Sequence, residues 1–229
     1  FSPSALNCYL DCQLKFYFKY IAGLQIPEEV SAEIDSATFG SIFHKSAENI
    51  YHDLTQHGKL INKEAIDSLL RNDIRLENYV DESFKELFFH VDKEVKPEYN
   101  GIQLLNSAVI VRYIKQLLGH DLRYAPFTLE ATELPVHEPI TIQTSEGPVE
   151  SSIGGTIDRL DSKDGTLRIV DYKTGGKPDT PPNVASLFIP DKKRSGYVFQ
   201  TFLYAAIMSR KQDMKVAPAL LYIHKAASD

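Results

Sequence analysis

The 229-residue chain has no tryptophan and only two cysteines, Cys8 and Cys12. Two thiols are too few for a disulfide framework and cannot alone complete a four-ligand metal site. No apolar run approaches the ~18 residues that a membrane-spanning helix needs, and no signal-peptide pattern opens the chain. A membrane is therefore not expected among its partners, and a cytoplasmic setting is the default. No G-x-x-x-x-G-K-[ST] occurs, which excludes the phosphate-cradling loop of an ATP-hydrolysing motor. Internal repeats and low-complexity tracts are also missing. Positive charge is in deficit, with 25 Lys and Arg against 31 Asp and Glu for a net −6. That balance argues against nonspecific coating of nucleic acid, although basic stretches such as Asp191 to Ser195, DKKRS, exist.

What is present suffices for one sizeable domain, at 43% hydrophobic residues with 12 Tyr and 12 Phe. Phe1 opens the chain without a Met, so it reads as a piece of a longer protein. Residues 1–123 pattern as a mainly helical lobe. Ser2-Pro3 is a cap followed by a first-turn proline, leading into the aromatic-rich LKFYFKYIAGL. Phe39, Phe43, Ala47, Ile50 and Leu54 recur at helical spacing and predict an amphipathic helix from Ser36 to Leu54. The stretch NKEAIDSLLRNDIRLENYVDESFKELFF predicts one long or two short helices. In GIQLLNSAVIVRYIKQLLGH, the residues Leu105, Ala108, Val109, Tyr113 and Leu117 form a further stripe.

The character changes at Tyr124-Ala125-Pro126, so residues 124–229 are expected to build a sheet core. Phe127 to Leu134 and Ile140 to Gln143 read as strands, followed by a hairpin and a Pro/Gly-rich loop. A helix is predicted from Gly196 to Ser209, with Phe199, Leu203, Ala206 and Ile207 facing the core. VAPALLYIH resumes as a strand in which Pro218 points to a strand start or an edge. Helices, strands, a helix and a strand in that order indicate an α/β or α+β sheet domain with a helical N-terminal lobe.

The hairpin IGGTIDRLDSKDGTLRIVDYKTGG carries the chemistry. Asp164-Gly165 is a strong signal for a two-residue turn. With that turn Lys163 pairs with Thr166, and Asp158 falls opposite Asp171. Opposed side chains on one face have Cβ atoms about 4.5–5.5 Å apart, where like charges repel. A four-residue loop would leave the two acids diagonal on one face, whereas a three-residue loop would separate them. Lys173, two residues beyond Asp171, projects to the same side. Leu167, Ile169 and Val170 place apolar groups on both faces, as in a buried strand. Buried carboxylates need a partner, and Mg²⁺ or Mn²⁺ suits such an oxygen-rich patch. Solvated surface charge on an ordinary hairpin is the plain alternative. Asp161 reads as a cap of the hairpin turn, with no catalytic part.

Four motifs in order extend this. Gly155 to Asp161 give G-x-[IV]-D-R-[IVL]-D, Asp171 to Thr174 give D-Y-K-T, Gln200 and Tyr204 give Q-x-x-x-Y, and Gly40 and His44 give G-x-x-x-H. Together with the opening SPSALNCYLDCQLKFYF, they resemble the PD-(D/E)XK nuclease superfamily, and within it the RecB/AddB-like nuclease domain attached to DNA-repair helicases. The resemblance implies a restriction-endonuclease-like mixed sheet flanked by helices. It implies metal ligands at His44, Asp158, Asp171 and the main-chain carbonyl of Tyr172, with Lys173 orienting or activating the attacking water. Gln200 and Tyr204 would bracket the site and touch the DNA backbone, and Glu133 resembles an acid often found on the preceding strand. The implied activity is Mg²⁺- or Mn²⁺-dependent DNA hydrolysis, as an exonuclease in repair and recombination, with DNA and a helicase domain or subunit as partners. The alternative is a non-cleaving DNA-binding or subunit-interaction domain of the same fold. Many such domains hold an iron-sulfur cluster through four cysteines. Cys12 matches the first, but no cysteine follows it, so this chain does not support a cluster. The proline that commonly precedes the first acid is replaced by Ile157.

Overall fold

A computed structural model describes residues 1–24, 33–190 and 194–225. Of the stretch Asp191 to Ser195, residues 191–193 lie outside the described residues. Helix α1 (Pro3–Asp11) is capped by the Ser2 hydroxyl, which accepts from Ala5 N, with Pro3 in the first turn. The short α2 (Gln13–Phe16) runs into a π-helical turn, Tyr17–Ile21. Helix α3 (Ser36–Leu54) has the bounds expected from its periodicity, and Asp35 accepts from Thr38 N to start it. Two helices follow, α4 (Lys63–Leu70) and α5 (Asp73–Phe84), each opened by an Asn cap. Helix α6 (Gly101–Tyr124) begins with a full capping box between Asn100 and Gln103. Its buried stripe differs from the expected one. Ile110, Val111, Ile114, Leu117 and Leu118 are buried, while Leu105 is 64% exposed and Ala108 is exposed too. The helix presents a face rotated from that stripe, so its first turns reach past the core.

The strands form one curled sheet in the order β1 (Leu60–Ile61), β2 (Phe127–Thr144), β3 (Gly147–Lys163), β4 (Thr166–Lys173) and β5 (Lys215–Tyr222). All neighbours are antiparallel except β4 and β5, which run parallel. A parallel pair needs a crossover, supplied by α7 (Gly196–Lys211). The two strands expected between Phe127 and Gln143 are one strand. Pro135 and Pro139 do not break it, because beyond the Leu60–Ile61 pairing β2 is, among the described residues, an edge with no second ladder to supply. Pro218 likewise lies in the edge strand β5.

The Asp164-Gly165 turn forms as expected, with both residues at positive φ and Lys163 opposite Thr166. The β3–β4 hairpin therefore shows one face to α7 and the other to the helical lobe. Leu160, Leu167 and Ile169 pack with Tyr204, Ile207 and Met208 of α7. Ala206, expected in that core, is exposed, and Tyr204 takes the buried position instead. On the other face Val170 and Tyr172 join a larger core with Phe43, Tyr51, Ile114 and Phe127. Two adjacent glycines shape β3. A Cβ on Gly154 would run into the Val136 main chain, so no side chain fits there, whereas one on Gly155 would lie 2.6 Å from Tyr204 Oη and would require that tyrosine to shift.

The helical-lobe face also holds a buried ionic network. Arg159, Asp121 and Asp161 are fully buried. Arg159 donates to both oxygens of Asp121, at 2.6 and 3.0 Å, and its Nε lies 3.0 Å from Asp161. Arg168 donates to both oxygens of Asp161, at 2.9 and 2.8 Å. Asp161 is thus one member of a buried ion network rather than a turn cap. Tyr51 of α3 bonds Asp121 and Arg159 as well, so α3, α6 and β3 meet at one guanidinium.

Candidate metal centre beside Lys173

Asp158 and Arg159 are consecutive, so their side chains leave β3 on opposite faces. Continued past its last ladder pair, Arg159 with Val170, the hairpin register brings Asp158 opposite Asp171. Asp158 Oδ2 accepts from the main-chain N–H of Tyr172 at 2.7 Å. One oxygen of Asp171 accepts from Gln200 Nε2 of α7 at 2.8 Å, and the other lies 2.6 Å from Lys173 Nζ. The Lys173 ammonium also sits 4.6 Å from the ring centroid of Tyr197, so carboxylate and ring hold it together.

The helical lobe completes the patch. His44, in the middle of α3, places Nδ1 3.5 Å from Asp158 Oδ2 and 3.7 Å from Glu133 Oε1. One ligand atom from each of His44, Glu133 and Asp158 falls within 4.8 Å of the others. Glu133 reaches this position through an irregular backbone. It sits at φ 45 between the ladder pairs Thr132–Arg159 and Leu134–Ile157, opposite Asp158. A left-handed glutamate inside a strand is unusual and costs on the order of 1–3 kcal/mol. Resemblance pointed to Glu133, whereas the strand pattern alone held no sign of this bend.

The structure thus gathers His44, Glu133 and Asp158 into one potential ligand set, with Asp171 and Lys173 alongside. Asp171 stands apart from that set because both its oxygens face Gln200 and Lys173. Tyr172 meets Asp158 through its main-chain nitrogen, and its side chain is buried. Gln200 acts on Asp171, while Tyr204, 3% exposed over Gly155, supports the site from beneath rather than presenting a surface to nucleic acid.

The electrostatics follow from this crowding. Burial, with the neighbouring charge of Asp171, pushes Asp158 up to about 7 against the pull of His44, Lys173 and the Tyr172 N–H. Burial also raises Asp171, opposed by Lys173. For His44 burial acts downward, but Glu133, Asp158 and Asp171 outweigh it and the imidazole is raised. Three carboxylates face one ammonium and one imidazole, and the acids resist ionising together. A hard divalent cation fits this donor set of two carboxylates and a neutral imidazole nitrogen, since it would relieve the repulsion that raises Asp158. The site opens into a cleft of about 960 Å³ bounded by α3, the end of β4 and Tyr197.

Comparison with known proteins places the chain in a family. A family model described as the PD-(D/E)XK nuclease superfamily matches residues 1–228. One of the subunits of an ATP-dependent helicase/deoxyribonuclease from Carboxydothermus hydrogenoformans is 24% identical over 182 residues, covering 76% of this chain. The matched part is 16% of that relative's length.

Proposed function

Because the chain belongs to the PD-(D/E)XK nuclease superfamily, we propose that it is a metal-dependent DNA nuclease domain that hydrolyses phosphodiester bonds at the His44–Glu133–Asp158 cluster. The observation that carries this reading is the uncompensated charge of that cluster beside a fixed ammonium in an open cleft. An exonuclease working on strands delivered by a helicase, in repair and recombination, is the biological form we favour. The helicase/deoxyribonuclease relative supports it.

Each side chain has a defined task. His44, Glu133 and Asp158 would hold Mg²⁺ or Mn²⁺, with the Tyr172 N–H fixing the orientation of Asp158. A bound divalent ion supplies charge neutralisation at the phosphate and lowers the pKa of water. Lys173 directs its N–H groups toward the phosphate and steadies the negative charge that grows there. Asp171 sets the position of Lys173, and Gln200 in turn sets Asp171. In this reading Asp171 acts chiefly by holding the lysine.

Incubation of end-bearing and single-stranded DNA with the protein in Mg²⁺, Mn²⁺ or chelator tests the proposal. Product is expected only with metal. Lys173→Ala and Asp171→Ala should lower the rate by about 10²–10³ while keeping the far-UV circular dichroism of the parent. No product with either metal, or full activity in both variants, would overturn the assignment. DNA binding that is equally tight in chelator and never yields product would identify a non-cleaving binding domain instead.

A further inference from the structure

Beside the catalytic cleft lies a second groove, of about 350 Å³, lined by α1, the turn after α2 and the start of α7. Its outer wall comes from the stretch Gln13 to Leu24, which carries Lys15 and Lys19 and no acidic residue. In a chain of net charge −6, such a stretch is a local reversal of sign. Neither lysine has an acidic partner among the described residues. The acid that does line the groove, Asp11, is taken by Arg194 at 2.9 Å. Among the described residues, positive charge therefore remains on the wall, one helical turn apart at positions 15 and 19.

The same stretch exposes aromatic rings that a core would bury. Tyr17 and Phe18 are 53% and 45% exposed. Tyr20, which lines the groove, stacks on Phe16 at 5.3 Å, and Tyr9 meets the edge of Phe16 at 5.4 Å. The Lys19 ammonium lies 5.4 Å from the Tyr20 centroid, so ring and charge are offered together. The groove is also continuous with the cleft. Ser4 and Tyr197 line both, and Gln200 lines the groove while donating to Asp171.

Resting on the nuclease reading above, we propose that this groove holds the unpaired single strand flanking the phosphate under attack. Lys15 and Lys19 contact its phosphates, and Tyr20 and Tyr197 take the faces of its bases. Ring-to-base stacking combined with cations along the backbone suits single-stranded nucleic acid of any sequence. A duplex gains little from these rings, because its base faces already stack on one another. The groove thereby gives the acidic site a preference for unpaired ends despite the overall negative charge of the chain.

The test is fluorescence anisotropy with labelled oligothymidylates of increasing length and a duplex of matched length. It is run in Ca²⁺, which occupies carboxylate sites, over a series of salt concentrations. The Lys15→Gln/Lys19→Gln double variant should lower the slope of log affinity against log salt by about 1.4, since each single-strand phosphate contact contributes about 0.7. Tyr20→Ala should weaken strand binding about 5- to 150-fold and leave duplex binding nearly as it was. In the unaltered protein affinity should grow with length until the strand spans both clefts. An unchanged slope in the double variant, or a Tyr20→Ala loss as large for duplex as for strand, would overturn the proposal. Failure of the nuclease reading would show separately, as no metal-dependent product from the unaltered protein on any substrate.

Discussion

The two faces of the β3–β4 hairpin carry two ionic clusters built from neighbouring residues, and the two are balanced in opposite ways. Toward the helical lobe, Asp121 and Asp161 meet Arg159 and Arg168, two charges of each sign, with all four carboxylate oxygens engaged. Toward the cleft, Glu133, Asp158 and Asp171 meet Lys173 and an imidazole, so negative charge is left over. The consequences appear in the carboxyl groups themselves. Asp121 is held well below the usual carboxylate range by Arg159 despite complete burial, whereas Asp158 is pushed up to about 7. A protein that can neutralise a buried acid with arginine at position 159 leaves the acid at position 158 without one. That contrast marks the cleft as the place where charge is completed from outside.

The largest effect should come from breaking the balanced face. Arg159→Leu strands the buried Asp121 and deprives Asp161 of one partner, and removing one member of a buried ion pair costs about 3–5 kcal/mol. Urea unfolding should show a loss of that size. The double change Arg159→Met/Asp121→Leu should recover most of it, because no buried charge at position 121 is then left unpaired. A single-variant loss below about 1 kcal/mol would mean that water or a rearranged Arg168 compensates for the missing guanidinium, and the face could no longer be called balanced by Arg159.

How far either face could be read from sequence depends on the range of the interactions that make it. The Asp164-Gly165 turn and the helix from Ser36 to Leu54 rest on local propensity and periodicity, and both form with the expected residues. The patch of Asp158, Asp171 and Lys173 follows from the turn alone, because strand alternation fixes which side chains share a face. The balanced face was hidden. Asp121 lies 38 residues before Arg159 in the chain, and no local pattern ties the last turn of α6 to a strand. Asp161 looked like a turn residue for the same reason, its role depending on burial that only tertiary packing creates. The rotated stripe of α6 shows the limit of periodicity, which detects that a helix is amphipathic but not which side chains lie past the edge of the core. The positive φ of Glu133, which aims the third acid, is a strain imposed by the folded sheet and has no signature in residue type.

A single chemistry applied to both faces gives a result of opposite sign. Asp121→Asn weakens a pairing that Arg159 needs and should destabilise the protein. Asp158→Asn removes a charge that repels Asp171, and should stabilise the metal-free protein by about 1–2 kcal/mol, the share of its rise to about 7 that charge repulsion adds to burial. Differential scanning fluorimetry in chelator would show the two melting temperatures moving apart. On adding Mn²⁺ the parent should gain stability by mass action, and Asp158→Asn should not. Destabilisation by Asp158→Asn in chelator would indicate that its carboxylate is already compensated, which would remove the need for a cation.

The dependence on pH separates the two faces without any substitution. Asp158 ordinarily titrates near 3.8 and in the fold near 7. Between these values the folded metal-free protein keeps a proton that the unfolded chain has lost, so stability falls as pH rises through that window. The raised Asp171 and His44 act in the same direction, the stability from His44 being present below its ordinary 6.5 and lost as pH climbs through its higher folded value. Asp121, lowered by Arg159, works the other way, its stabilisation present above 3.8 and lost on acidification. Metal reverses the first trend, since ligands must shed protons to bind it. Thermal melts at pH 5, 6 and 7.5 should therefore fall with pH in chelator, while the gain from Mn²⁺ widens toward pH 7.5. A gain from metal that is the same at every pH would mean that Asp158 is already ionised at pH 5, and that its crowding by Asp171 is weaker than the geometry implies.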